Sequence, residues 1–468
     1  MAKIAVNNLR AVRNQLNKPV RDDKASIFLK SSFVTPKAKI LAWFFFLAFF
    51  FESGTIGLLP QQFYFVYRNI RISDLIFYSL IVYSLLNSKE FYVYYKSKVL
   101  LIFKILAVFF IFEFIVSSIS YNYSFIEYFF RLKFLWSSFL IFPFLLLLKR
   151  NGLWYLIKLI IPVAVVSNIL YIMTALTGRP FLPDVVIALQ DLPGGLQVYR
   201  VFGGTFWGEY IFLGIIYYWV TNKFKMYLLA PVILFSLPHI LAFGRGAWIH
   251  MLFIIVLIFI WNIYRKKNFK VFIRQTIIII IFGATVSFVF SKVIPESNYI
   301  YEALEARIEQ GKDDYVYDKG TYGSRMTALA ALIELWEKSN LLFGVGMHPM
   351  WVVKALTVEE SYYGWGFSDI KWAGILAGYG LVGFALILFY QIQYIYATTK
   401  IMIKYKTGNL FIFFIIMFFS SLIFDSVFNY NYNLVTFAVN GITPTISFLS
   451  AVTVYLFEEL KTQNEEKS

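Results

Sequence analysis

The chain has 468 residues, of which 59% are hydrophobic, 21% aromatic and only 15% charged, with a formal net charge of +16. A soluble domain carries about 45–50% apolar and about 25% charged residues, so the composition excludes a water-soluble fold, and it excludes disorder as well. Cys is 0, which removes disulfides, thiolate metal sites and Cys nucleophiles. What remains is an integral membrane protein.

A basic tail, residues 1–37, opens the chain and is too long for the n-region of a cleaved signal peptide. A bilayer core takes about 20 apolar residues per helix. Twelve stretches approach that length: 38–58, 70–87, 99–118, 128–148, 152–177, 205–222, 226–243, 246–264, 275–294, 371–396, 409–424 and 440–457. The expectation is an all-α, polytopic chain of about twelve transmembrane helices. Nine lie in residues 38–294 and three in 371–457. A long connection, 295–370, separates the two groups, and a short tail, 458–468, closes the chain.

Lys and Arg set the orientation. Alternate connections hold Lys89, Lys96 and Lys98; Lys149 and Arg150; Lys223 and Lys225; Arg265 to Arg274; Lys400, Lys404 and Lys406; and Lys461 and Lys467. The opposite short connections hold Arg68, Arg71, Arg179, Arg200 and Arg245. This asymmetry predicts both termini in the cytoplasm. The positive charge is then a topological signal that also suits an anionic leaflet, and it does not point to nucleic acid.

Connection 295–370 faces outward on this scheme, and its acids outnumber its bases. A loop this long is functional or disordered. Helical periodicity favours a folded one. Ile300, Leu304, Arg307 and Ile308 mark a helix stopped near Gly311. Ala328, Ala331, Leu332, Leu335 and Trp336 mark a second, with Ser324 as its N-cap and Gly344 and Gly346 in a closing turn.

Outward arginines in short loops run against the orientation rule and so need another reason to exist. Arg245 sits between Gly244 and Gly246, where the backbone can approach an anion closely. The alternative is a guanidinium reaching the headgroups. Arg325, in the first turn predicted by the Ser324 cap, pairs a cation with a helix N-terminus, a good site for phosphate oxygens; a solvated helix-end Arg is the bland reading. Arg200 precedes a Gly pair at the mouth of the sixth span. Arg131 and Lys133 stand in an apolar run, where charge is costly unless it faces a cavity. Glu113, Glu209, Asp369 and Asp425 are acids at or within spans, each either a base or the holder of an Arg. His348 is a candidate base in the long loop, and Glu359 and Glu360 are further acids there. His239 and His250 flank the Arg245 turn and read more simply as satisfied polar groups. Three scattered His and no Cys make no transition-metal site, and no nucleotide-binding motif is present, so no cofactor is expected.

Four segments carry a resemblance to the bacterial O-antigen ligase and repeat-unit polymerase family. They are RVFGGTFWGEYIFLG around Arg200, AFGRGAWIHMLF around Arg245, GSRMTALAALIELWEKSNLLFGVGM around Arg325, and SDIKWAGILAGYGLVGF after Asp369. The resemblance implies a mainly helical, GT-C-like membrane glycosyltransferase in a bacterial inner membrane, with its active site facing the periplasm. Donor and acceptor would be oligosaccharides on undecaprenyl diphosphate, in contact with membrane lipids and open to a chain-length regulator. No metal or nucleotide sugar is implied. Arg245 and Arg325 would hold the diphosphate, with Arg200 and Arg131 assisting. The ligase pattern places a His shortly before the closing span, where this chain has Ser368 and Asp369. That departure favours a polymerase, with Asp369 ahead of His348 as the base. A ligase acting on lipid A-core is the nearest alternative. A lipid-linked glycan flippase or a non-catalytic scaffold are alternatives of another class, and no internal repeat supports a flippase.

Overall fold

The computed structural model describes residues 34–52, 56–67, 70–120, 137–191, 197–202, 206–221, 226–242, 245–266, 273, 277, 297–316, 320–346, 371–405, 410–428 and 443–465. Helices overlie the apolar stretches: α1 Pro36–Phe50, α2 Ile72–Leu86, the single turn α3 Tyr92–Tyr95, α4 Lys98–Ser120, α5 Ile141–Lys149, α6 Leu153–Thr177, α7 Phe206–Thr221, α8 Leu229–Leu241 and α9 Arg245–Lys266. Then come α10 Ser297–Val316, α11 Gly320–Lys338, α12 Lys371–Lys404, α13 Leu410–Phe428 and α14 Pro444–Glu465. Segments Lys98–Val116, Leu153–Thr177, Trp248–Lys266 and Trp372–Lys404 are long and apolar enough to cross a membrane. Ile72–Leu86, Ser138–Lys149, Ala230–Leu241 and Leu410–Phe424 are apolar but shorter. The chain is a mostly helical membrane protein. The expected span 275–294 lies outside the described residues, apart from Ile277.

The all-α expectation needs one correction. Two antiparallel hairpins occur, β1 Phe65–Tyr67 with β2 Ile70–Arg71, and β3 Val186–Asp191 with β4 Gln197–Phe202. Their sequences explain them. Val186, Ile187, Val198, Tyr199 and Val201 are β-branched or aromatic residues that fit a pleated surface, and Pro193, Gly194 and Gly195 punctuate the sequence between the strands. Arg200 therefore lies in β4, opposite Ala188, and not at the start of a span.

Helix starts follow local chemistry. Thr35 caps α1 by accepting from Ala38 N at 3.2 Å, and Pro36 follows at the first helical position. Asp74 accepts from Arg71 N at 2.9 Å at the start of α2. Arg71 also donates from Nη1 to Glu52 Oε1 at 2.9 Å. That gives one outward arginine a structural reason. Nearby, burial pushes the Tyr64 phenol up to about 12, so it is a hydrogen-bond acceptor for Leu59 N and not a base.

At the opposite end of the bundle Arg150 follows α5. Its guanidinium donates from Nε and Nη2 to the two Glu90 oxygens at 2.9 and 2.7 Å, and from Nη1 to Tyr83 Oη at 2.8 Å. These bonds, ahead of any other cause, hold the Glu90 carboxyl below its usual range. A carboxyl with a lowered folded pKa stabilises the fold above its unfolded pKa of about 4.3, and the contribution is lost as the pH falls through the folded value. Glu90→Gln is therefore expected to lower the melting temperature in detergent at pH 7, with the gap closing as the pH falls below the ordinary carboxylate range. A gap that stays constant with pH would contradict the pairing.

Two helices of the long loop exist but differ in extent from expectation. α10 runs through Gly311, because one glycine among good helix formers costs only about 1 kcal/mol. α11 starts at Gly320, ahead of the expected Ser324 cap, so Arg325 is not in its first turn. The helix formers from Met326 onward carry the helix back over Thr321–Ser324. The start of α11 thus lies five residues before Arg325, and not next to it as expected from the sequence. The expected apolar face does form: Ala328, Leu332 and Leu335 pack with Val345, Ala373 and Ala377 of the following segment and α12.

α12 is broken. Gly380 adopts φ 62° and ψ −165° inside the run Lys371–Lys404. The segment after α11 mends the break with main-chain bonds. Val345 N and Gly346 N donate to Ala377 O and Gly378 O at 2.8 and 2.7 Å. Leu381 N and Val382 N donate to Leu341 O and Leu342 O, each at 3.0 Å. Asn340 Oδ1 shapes the segment by accepting from Leu342 N and Phe343 N. Gly344 and Gly346 take φ of 66° and 78°, as the expected turn requires. In an apolar environment, backbone groups freed by a helix break must find such partners.

Candidate functional site

The site is built at the end of the bundle that carries the hairpins, around the α8–α9 junction. β4 is anchored to α6 through Tyr171, whose Oη donates to Val201 O at 2.8 Å. The next residue back, Arg200, donates from Nε to Ala242 O at 3.2 Å. Ala242 ends α8, and Arg245 is the first residue of α9. The β4 arginine thus fixes the carbonyl three residues before Arg245. Arg200 and the Arg245 turn, separate signals in the sequence, belong to one junction.

Beneath that junction lies a buried polar cluster. Glu209, in the first turn of α7, and His250, in the second turn of α9, face each other with Oε1 and Nδ1 3.8 Å apart. His250 Nε2 is 3.4 Å from Ser421 Oγ on α13. Ser421 Oγ donates to Met417 O at 2.9 Å, so its lone pairs face the imidazole. His239 on α8 is buried beside Phe212, and its main-chain oxygen accepts from Trp248 Nε1 at 2.8 Å. Of the two His flanking the Arg245 turn, His250 therefore meets Glu209 and Ser421, whereas His239 meets Phe212 and, through its main chain, Trp248. Ser421 is the member that sequence reasoning missed, since a Ser in the apolar run 410–428 carries no local signal.

The other candidates divide by position. Arg245 and Arg325 lie in the described helices α9 and α11. By spacing, Arg325 stands three and seven residues before Ala328 and Leu332, on the helix face that packs on α12. α12 packs on α13 and α13 on α9, which links the two arginine-bearing helices through α12 and α13. Glu113 is buried on α4 one turn from Phe109 and Phe110, whose rings meet Tyr379 beside the α12 break. Asp425 lies within α13, which continues to Phe428. Arg131, Lys133, His348, Glu359, Glu360 and Asp369 lie outside the described residues. Among the described residues no group of three or more His, Asp or Glu is arranged to hold a metal ion.

This arrangement suits an anion more than a cation. A helix start that carries an arginine in its sequence is the chemistry that suits phosphate oxygens. No curated protein matches the chain. The family model described as O-antigen ligase matches residues 230–388, which run from α8 through the break in α12. In that stretch, which holds both Arg245 and Arg325, the chain is similar to the O-antigen ligase and polymerase family.

Proposed function

We propose that the chain is a surface-polysaccharide polymerase. On this reading it is a glycosyltransferase that joins oligosaccharide repeat units carried on undecaprenyl diphosphate, in a bacterial inner membrane. Twelve spans, cytoplasmic termini and a periplasmic site complete the reading. The observation that carries it is the junction where Arg200 holds the carbonyl end of α8 against the start of α9 at Arg245, within a stretch similar to the O-antigen ligase family.

The chemistry follows from the leaving group. The acceptor hydroxyl oxygen bonds to the anomeric carbon of the donor sugar, and the bond from that carbon to the phosphate oxygen breaks. The acceptor proton passes to a base, for which Asp369 stands ahead of His348. Negative charge grows on the departing diphosphate. Arg245 and Arg325 lower the barrier by meeting that charge in a low-dielectric site, with Arg200 and Arg131 supporting. Such arginines do electrostatically what a metal ion does in other enzymes that release diphosphate. The protein's partners are then the lipid-linked donor and acceptor, the surrounding lipids, and a chain-length regulator.

The description of the matching family favours one second reading, a ligase that moves the glycan to lipid A-core. The acceptor distinguishes the two. Purified protein receives a lipid-diphosphate-linked repeat unit alone, then with lipid A-core, and products are separated on a gel. A ladder from the repeat unit alone is the expected result. Transfer only when lipid A-core is present would move the assignment to the ligase. No transfer in either case would leave a flippase as the reading to test.

A further inference from the structure

Glu209 and His250 are each more than nine-tenths buried, and they sit in helices that form the walls of the Arg245 junction. Burying a carboxylate and an imidazole is costly, and well-packed apolar side chains would stabilise a helix bundle at least as well. Ionisable groups placed among apolar helices therefore call for a functional reason with a named partner. The geometry gives one. His250 is five residues past Arg245 on the same helix, about 7.5 Å along its axis at 1.5 Å per residue. It is fixed from two sides, by Glu209 on α7 at 3.8 Å and by Ser421 on α13 at 3.4 Å. On a third side Trp248 ties α9 to α8 through His239 O, and Arg200 ties the end of α8 to β4. Around the first two turns of α9, the helices α7, α8 and α13 thus each place a polar group against it, and together these bear on how far the helix is rotated and how deep it sits.

We propose that Glu209 and His250 are positioning residues for the diphosphate site, setting the rotation and depth of the α9 start and thereby the placement of Arg245. The proposal rests on the reading of Arg245 as a diphosphate ligand. The pair acts through Arg245 and touches no substrate itself. The Glu209 carboxyl lies 3.8 Å from Nδ1 and the Ser421 hydroxyl 3.4 Å from Nε2, so one polar side chain faces each ring nitrogen. Removing either partner takes away one of these polar contacts and leaves α9 to rely more on its apolar face, which specifies rotation only loosely.

The test uses undecaprenyl diphosphate as the probe, bound to the full chain in detergent, with melting temperature measured alongside. Arg245→Ala is expected to weaken binding by roughly 10-fold or more, as loss of a charge-assisted contact does. Glu209→Gln and His250→Gln are expected to weaken it by roughly 3- to 10-fold, the range for residues that act through a neighbour. Glu209→Asp, which keeps the charge, recovers part of the loss. The double variant Glu209→Gln, His250→Gln is no weaker than the worse single. In an Arg245→Ala background Glu209→Gln has no further effect on binding, whereas a merely structural role would weaken binding in both backgrounds. Should Glu209→Gln fail to melt cooperatively, His250→Gln and Ser421→Ala carry the same comparison. Full binding by the pair variants beside weak binding by Arg245→Ala would overturn the positioning role and leave the diphosphate reading standing. Full binding by Arg245→Ala would overturn both.

Discussion

Gly380→Ala is expected to destabilise the protein by about 3 kcal/mol or more, a size reached only by specific structural faults. The first cost is conformational. At φ 62° and ψ −165° the residue sits in a region open essentially to glycine, which costs a side-chain-bearing residue about 1–3 kcal/mol. The second is steric, since a Cβ on Gly380 would lie 2.3 Å from the carbonyl carbon and oxygen of Leu342. Backbone atoms cannot step aside as a flexible side chain can. Relief requires residues 341–346 to leave α12, and the four bonds that mend the break leave with them. Each such bond contributes about 1 kcal/mol, and the freed groups stay in an apolar setting. Melting temperature in detergent and protease cleavage within residues 340–346 are the readouts, with a large drop and new cleavage expected. Gly344→Ala is expected to act the same way, because its Cβ would meet Ala377 O at 2.5 Å. Gly214→Ala is the control. Its Cβ would touch the Phe413 ring at 3.6 Å, an ordinary contact, and alanine gains about 0.5–1 kcal/mol over glycine within a helix. A stable Gly380→Ala protein would show that the break in α12 is not held as described.

Arg245→Ala is expected to lower the rate of glycan transfer by about 10²- to 10³-fold with little change in melting temperature. That is the usual loss when one prepositioned donor to a developing anion is removed. The melting temperature is expected to hold because the α9 core packs through Ile254, Ile258 and Trp261, turns away from its start. Arg245→Lys should recover only part of the rate. An ammonium supplies the charge but not the planar fork that grips two phosphate oxygens. Arg325→Ala should fall in the same range, and the double variant by less than the product of the two, since both serve one transition state. Initial rates of chain growth check all of this, and a wild-type rate in Arg245→Ala would remove that arginine from the chemistry.

Much of the helical layout was legible in the sequence because apolar run length is a strong physical constraint. The boundaries of α6 and α7 fall within one residue of the apolar stretches read for them. The hairpin 186–202 escapes a reading by apolar run length, although Val, Ile and Tyr on either side of a Pro-Gly-Gly segment are a strand signal. The break at Gly380 lay in plain sight in GYGLVG. Its meaning depends on residues 341–346 lying alongside, a tertiary fact that no local window contains. The site follows the same division. Arg200 and Arg245 stood out singly because outward arginines defy the orientation rule. Their shared junction appears only when β4 folds against the end of α8. His239 and His250 read as isolated polar groups, since the Glu209 carboxylate is thirty or more residues away in sequence. The capping expectation at Ser324 failed for a different reason: Ser is a good N-cap, but Gly320 to Gly323 can also be helical when strong helix formers follow.

The most direct measurement is the initial rate of chain growth from a lipid-diphosphate-linked repeat unit, with a metal chelator present and no nucleotide, for wild type beside Arg245→Ala. Growth in the wild type, indifferent to the chelator and reduced about 100-fold or more in the variant, is the predicted result. Equal growth in both proteins, or growth that stops when the chelator is added, would contradict an arginine-held diphosphate leaving group.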